Sequence, residues 1–129
     1  MKVFISQPMS GRSEEDIINE RIQTIGKIRM YLGDDVTILD SYVPEDTRNI
    51  MRRGNHYQRN GLWADGMEYV FWLGTSITTM AKADVVWFVN GWHESSGCIH
   101  EWHIACHSDA RIIMEDESGK IIDSAKENE

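Results

Sequence analysis

Apolar positions along the chain alternate between two periods. Val3-Phe4-Ile5 is a short β-prone run that gives way to the polar stretch Ser6-Gln7-Pro8-Met9-Ser10-Gly11-Arg12, which predicts a buried strand and then a turn-rich loop. Ile17, Ile18, Ile22, Ile25, Ile28 and Leu32 recur at helical spacing. Ser13 stands where an N-cap is needed, and Glu14, Glu15 and Asp16 follow in the first turn, where the helix dipole favours carboxylates. Gly33 supplies the stop. Val36 to Leu39 reads as a second strand ending at Asp40-Ser41-Tyr42. Val70, Leu73, Ile77, Met80 and Ala81 mark a second helix. The continuous apolar run from Val85 to Val89 suits a parallel strand covered on both faces. Asn90 to Gly97 is a polar loop. Cys98, Ile99, Trp102, Ala105 and Cys106 fall on one face of a third helix. Arg111 to Met114 is a fourth strand, and Ile121-Ile122 a short fifth.

Strands alternating with helices predict an α/β domain: a doubly wound parallel sheet of four to five strands, flavodoxin-like or Rossmann-like, with helices on both faces in three α/β/α layers. Its 129 residues fit one domain with a sizeable core. An irregular insertion occupies about 43–66. It is broken by Pro44, Gly54 and Gly61 and carries Arg48, Arg52, Arg53 and Arg59, a locally basic patch. Ligands in such sheets sit beyond the C-terminal ends of the strands. That rule points at Ser6 to Arg12, Asp40 to Tyr42 and Asn90 to Gly97.

Thirteen Lys and Arg against 21 Asp and Glu give a net charge of −8, which argues against general binding to nucleic-acid polymers or anionic membranes. No apolar stretch is long enough to span a bilayer and no secretory signal stands at the start, so a cytoplasmic location is expected. Cys98 and Cys106 on one helix lie about 12 Å apart along its axis, too far for a disulfide.

Glu101 is the sharpest candidate for chemistry. It falls in the first turns of the third helix, facing the same end of the sheet as the loops. A carboxylate near a helix N-terminus is expected to stay ionised, which suits a nucleophile attacking an electrophilic sugar carbon. A glutamate that only stabilises the helix start gives the same pattern. Ser95, Ser96 and Gly97 before it read as a cap, and a cap is also an anion site. The loop from Ser6 to Arg12 has neither the P-loop nor the dinucleotide spacing. His93 lies in the same end loop and could transfer protons near neutral pH. His100, His103, His107 and Cys106 lack the spacing of a zinc site. Trp63 and Trp92 could stack on a nucleobase or close an edge of the domain.

Met1 to Arg12, Asp40-Ser41, Leu73-Gly74-Thr75-Ser76 (taken as a helix start), Ala83-Asp84-Val85-Val86 and Gly97-Cys98-x-x-Glu101 together resemble the nucleoside 2-deoxyribosyltransferase-like superfamily. The likeness is strongest to a group of small phage and bacterial members that open with Ile-Ser-Gln-Pro-Met-Ser-Gly. It covers most of the chain outside about 43–70. It implies cleavage or transfer at the N-glycosidic bond of a nucleoside or nucleoside 5′-monophosphate, by an enzyme without cofactor or metal that forms a homodimer or larger oligomer. It implies that Glu101 is the nucleophile that forms a glycosyl-enzyme intermediate. Ser95 would contact a phosphate. The loop Ser6, Gln7, Pro8, Met9, Ser10 and Gly11 would hold sugar and phosphate, with Arg12, Asp40, Ser96, Gly97 and Cys98 around the ligand. Two departures stand out: Val3 and Ser76 occupy positions that are a tyrosine and an aspartate in the hydrolase branch. Asp40, Tyr42, His93 or the arginine-rich loop would have to replace them. Otherwise the protein binds or sequesters a nucleotide-derived ligand without turnover.

Overall fold

The computed structural model of the protein describes residues 1–39 and 67–126, the backbone alone from 67 to 71. Strand β1 (Lys2–Ser6) leads into α1 (Glu14–Leu32) and β2 (Thr37–Leu39). Helix α2 (Met67–Met80), β3 (Val85–Phe88), a single 3₁₀ turn (Trp92–Glu94) and α3 (Ser96–Cys106) follow. Strands β4 (Arg111–Glu115) and β5 (Ile121–Asp123) close the described chain. The strands form one sheet in the order β2-β1-β3-β4-β5, a mixed, mostly parallel α/β arrangement consistent with a Rossmann-like fold. The expectation of a wholly parallel sheet is corrected at its edge, where β5 pairs antiparallel with β4. Only the tight turn at Asp116–Lys120 separates these two strands, and a parallel return would need a crossover.

Strand β1 sits between β2 and β3 and alternates as a two-sided strand must. Val3 and Ile5 join Ile28 of α1, Val36, Val85, Trp87, Val89 and Ile113 in one apolar cluster. Phe4 joins Met80, Val86, Phe88 and Ala105 in a second. Helix α1 is bounded by ordinary local chemistry. Ser13 caps α1 by accepting from the Asp16 N–H at 3.1 Å. Gly33 ends it at φ 109°, donating its N–H to the Arg29 carbonyl. Helix α2 begins at Met67, so Leu73-Gly74-Thr75-Ser76 lies inside it and not at its start. Among the described residues no helix is long and apolar enough to cross a membrane.

Polar ties fasten the β4–β5 edge to the rest. Asp123 accepts from the Arg111 guanidinium and from the Tyr31 hydroxyl of α1, and together they hold its carboxyl down at about 2. Glu115 is 2% exposed, yet it accepts from the Trp87 indole N–H at 2.7 Å and from Lys27 at 3.1 Å. The indole stands inside the apolar cluster, so its N–H has to find an acceptor there. Glu115→Ala should therefore cost about 2 kcal/mol or more of unfolding free energy, because it strands that N–H and opens a void. Glu115→Gln keeps an acceptor and should cost markedly less. Urea unfolding of both variants checks this.

Candidate active site

The sheet order reverses direction between β1 and β3, which makes their C-terminal ends the natural place for a ligand. The two ends are tied together by the Val89 N–H donating to the Ser6 carbonyl at 3.0 Å. The chain leaves β1 through Gln7 to Ser13 and leaves β3 through Asn90 to Ser95. Gly91 makes the turn out of β3. It adopts φ 89°, a left-handed conformation that favours glycine, and lies against Pro8 of the other segment. Ser95 caps α3, its hydroxyl accepting from the Cys98 N–H at 3.4 Å.

Cys98, Glu101 and Ala105 form the buried face of α3. Glu101 is thus within the buried stripe, while Cys106, expected there, is exposed. Period-two alternation along β1 turns Ser6 to the same side as Phe4, toward α3. The Ser6 hydroxyl donates to Glu101 Oε1 at 2.9 Å, and both groups are buried. Glu101 lies in the second turn of α3, beyond the free N–H groups of the helix start. Burial therefore dominates its titration and pushes its pKa up from 4.5 to about 7, with the Ser6 hydrogen bond opposing the rise. This corrects the expectation that the helix dipole keeps Glu101 fully ionised. Burial likewise raises the pKa of the neighbouring Cys98 thiol, partly offset by the Ser6 and Ser95 hydroxyls.

Glu101 lines a cleft of about 150 Å³. Gln7, Met9 and Ser10 form one wall, Trp72, Leu73 and Ser76 of α2 another, and Ser95 to Cys98 the floor beside Glu101. A second cleft of about 340 Å³ adjoins it, shares Ser10 and Ser95, and includes Arg12, Glu20 and Glu94. Arg12 is held over the β1–α1 loop, donating to Glu20 Oε1 at 2.6 Å and to the Pro8 carbonyl at 3.0 Å. The Gln7 amide donates to the Ile17 carbonyl at 2.9 Å and to Glu20 at 3.0 Å. Those two acceptors fix which way the amide faces. They leave Gln7 Oε1 buried and without a hydrogen-bond partner among the described residues. A buried acceptor of this kind calls for a donor from elsewhere.

Sequence reading and structure meet at Gln7, Met9, Ser10, Ser95, Ser96, Gly97, Cys98 and Glu101, all of which border the Glu101 cleft. Ser6 supports Glu101 from beneath, and Pro8 and Arg12 border the adjoining cleft. Gly11 takes the left-handed turn at φ 75° between them. His93 is not brought in. It is exposed on the 3₁₀ turn, 3.7 Å from Glu117, and borders neither cleft. Trp92 stacks on Trp102 at 5.7 Å and packs against Phe88, so it joins the second apolar cluster instead of offering a face to a base. Among the described residues no three metal-ligating side chains converge. Asp40, Tyr42, Trp63 and the four arginines between 48 and 59 lie outside the described residues. Sequence reasoning overlooked Trp72, whose signal was its place on one helix face with Leu73 and Ser76. Val3 is wholly buried in the first apolar cluster and does not border the cleft, whereas Ser76 does.

No protein-family model, curated protein or solved structure matches this chain.

The raised Glu101 pKa has a stability consequence. The folded protein holds this proton more tightly than the unfolded chain does. Its contribution is therefore greatest below about pH 4.5, declines as pH rises toward 7, and is flat above. The full decline is worth about 3 kcal/mol. Glu101→Gln should abolish it, leaving the variant more stable than wild type at pH 8 and no better at pH 4. Unfolding midpoints across that range decide the matter.

Proposed function

We propose that this chain is a flavodoxin-like domain, with helices covering both faces of its sheet, that cleaves or transfers at the N-glycosidic bond of a nucleoside or nucleoside 5′-monophosphate. The observation that carries the reading is Glu101: a single buried carboxyl, positioned by Ser6, on the floor of a small cleft at the switch point of the sheet. In the ionised state its oxygen attacks the anomeric carbon. The carbon–nitrogen bond breaks, its electron pair leaves with the base nitrogen, and that nitrogen takes a proton from solvent water. Water or a second base then attacks the same carbon and gives up a proton to solvent, the ester bond breaks, and the carboxylate is regained. Gln7 Oε1, buried and unpartnered among the described residues, accepts a hydrogen bond from a hydroxyl of the bound sugar. Ser10 and Ser95, shared by both clefts, face the junction of sugar and any 5′-phosphate, with Arg12 beyond them.

The raised pKa makes the nucleophile a minority species below pH 7. Turnover should rise about tenfold per pH unit below about 7 and level off above it. Ser6→Ala removes the hydrogen bond that favours the carboxylate, so that limb should move to higher pH.

A second reading is favoured by one observation. Among the described residues lining the Glu101 cleft, no second carboxylate or imidazole is present to protonate a leaving base. The chain would then bind or sequester a nucleotide-derived ligand without turnover. Incubation of wild type and Glu101→Ala with ribo- and deoxyribonucleosides and their 5′-monophosphates separates the two. Release of free base by wild type, lowered at least a thousandfold in Glu101→Ala, is the outcome expected of a nucleophile. A thermal shift with the same compounds, and no base released with or without an acceptor base, establishes the binding reading instead.

A further inference from the structure

Cys98 stands three residues before Glu101 on α3 and three after the cap Ser95, so these residues follow one another along one face of the helix. Cys98 is 1% exposed, and its thiol is in hydrogen-bond contact with two hydroxyls, those of Ser6 and Ser95. Together with the bond from Ser6 to Glu101 these contacts join Ser95, Cys98, Ser6 and Glu101 in one continuous chain. Among the described residues, the β1–α1 loop and α2 bring only uncharged side chains to the Glu101 cleft. The next carboxylate, Glu20 of α1, is near enough to act on the thiol but is itself bound to Gln7 and Arg12.

The supply of hydrogens fixes the direction of this chain. An ionised carboxylate can only accept, so the single hydrogen of the Ser6 hydroxyl is committed to Glu101. Toward Cys98 the Ser6 oxygen can then only accept, and the thiol hydrogen is the one that meets it. Ser95 Oγ already accepts from the Cys98 backbone N–H at 3.4 Å, and its own hydrogen is left for the sulfur. Each hydroxyl and thiol hydrogen thus points along the chain toward the carboxylate, and aligned bonds in a buried site polarise one another. We infer that Cys98 is a positioning residue for Glu101: by donating to the Ser6 oxygen, its thiol holds the Ser6 hydroxyl turned toward the carboxylate. Without the thiol, Ser6 Oγ loses its donor, its hydroxyl is freer to rotate, and its bond to Glu101 weakens.

The inference deepens the reading of Glu101 as the reacting group, and its test needs neither ligand nor turnover. Carbon-13 NMR of the side-chain carboxyls follows the titration of Glu101, assigned by the signal missing from Glu101→Gln. Cys98→Ala should raise the midpoint by about half a pH unit, the low end of what one hydrogen bond contributes. Cys98→Ser supplies a donor and an acceptor again and should bring the midpoint back to the wild-type value or below. In a Ser6→Ala background, Cys98→Ala should no longer raise it, because the thiol acts through Ser6. Far-UV circular dichroism shows that each variant is folded. An unmoved midpoint in Cys98→Ala, equal shifts in both backgrounds, or no reversal by Cys98→Ser overturns the inference. A protein that titrates as expected but releases no base from any nucleoside or nucleotide keeps this inference and loses the reading of Glu101 as a nucleophile.

Discussion

The central strand β1 has to satisfy two faces at once, and the site depends on how it does so. Both neighbours, β2 and β3, pair with it in parallel, so neither edge is free. Its odd positions, Val3 and Ile5, belong to the apolar cluster that receives α1. Its even positions face α3. Phe4 fills the apolar part of that contact and Ser6, the last residue of the strand, supplies its polar terminus. A shift of one residue would put Ser6 among Ile28 and Val36 and leave Glu101 buried with no hydrogen-bond donor. The alternation that builds the core is therefore what delivers the hydroxyl to the carboxyl.

That arrangement explains why Glu101 is poised and not simply charged. A carboxylate on the outside of α3 would be solvated and ordinary. On the buried face, between Cys98 and Ala105, it loses water and gains a single hydroxyl in return. One hydroxyl is too little to hold a buried carboxylate fully ionised at neutral pH. The protein pays for this in stability above pH 4.5, the sort of local cost that functional sites carry. The β1–α1 loop shows related economy. Glu20 takes both Gln7 and Arg12, which fixes the loop and leaves one amide oxygen with nothing to bind among the described residues. The far edge of the sheet does the reverse: Asp123 and Glu115 are fully partnered and hold β4 and β5 in place.

Much of this was legible in the residues. The isoleucine spacing with Ser13 and Gly33 defines α1, and the run Val85 to Val89 marks the strand buried on both sides. The switch-point rule leads from those strands to the loops that hold Ser10 and Ser95. The rest depends on contacts between distant segments. Glu101 lies in the buried stripe of α3 because Ser6, 95 residues earlier, meets it there. Apolar spacing alone selects Cys106 instead. The reversed direction of β5 follows from a short turn, not from the three residues of the strand. The tryptophans follow the same logic: Trp92, a stacking candidate by its place in the loop, packs on Trp102 and Phe88, and Trp72, which the sequence did not single out, lines the cleft.

The claim that Glu101 becomes covalently glycosylated can be put to the protein directly. Wild type is incubated at pH 8 with the nucleoside and nucleotide panel, quenched in acid during turnover, and analysed by intact-mass and peptide mass spectrometry. A pentosyl or deoxypentosyl adduct on the peptide containing Glu101, absent from Glu101→Gln, is the predicted result. Base release that continues in Glu101→Gln, or an adduct on any other residue, would contradict it.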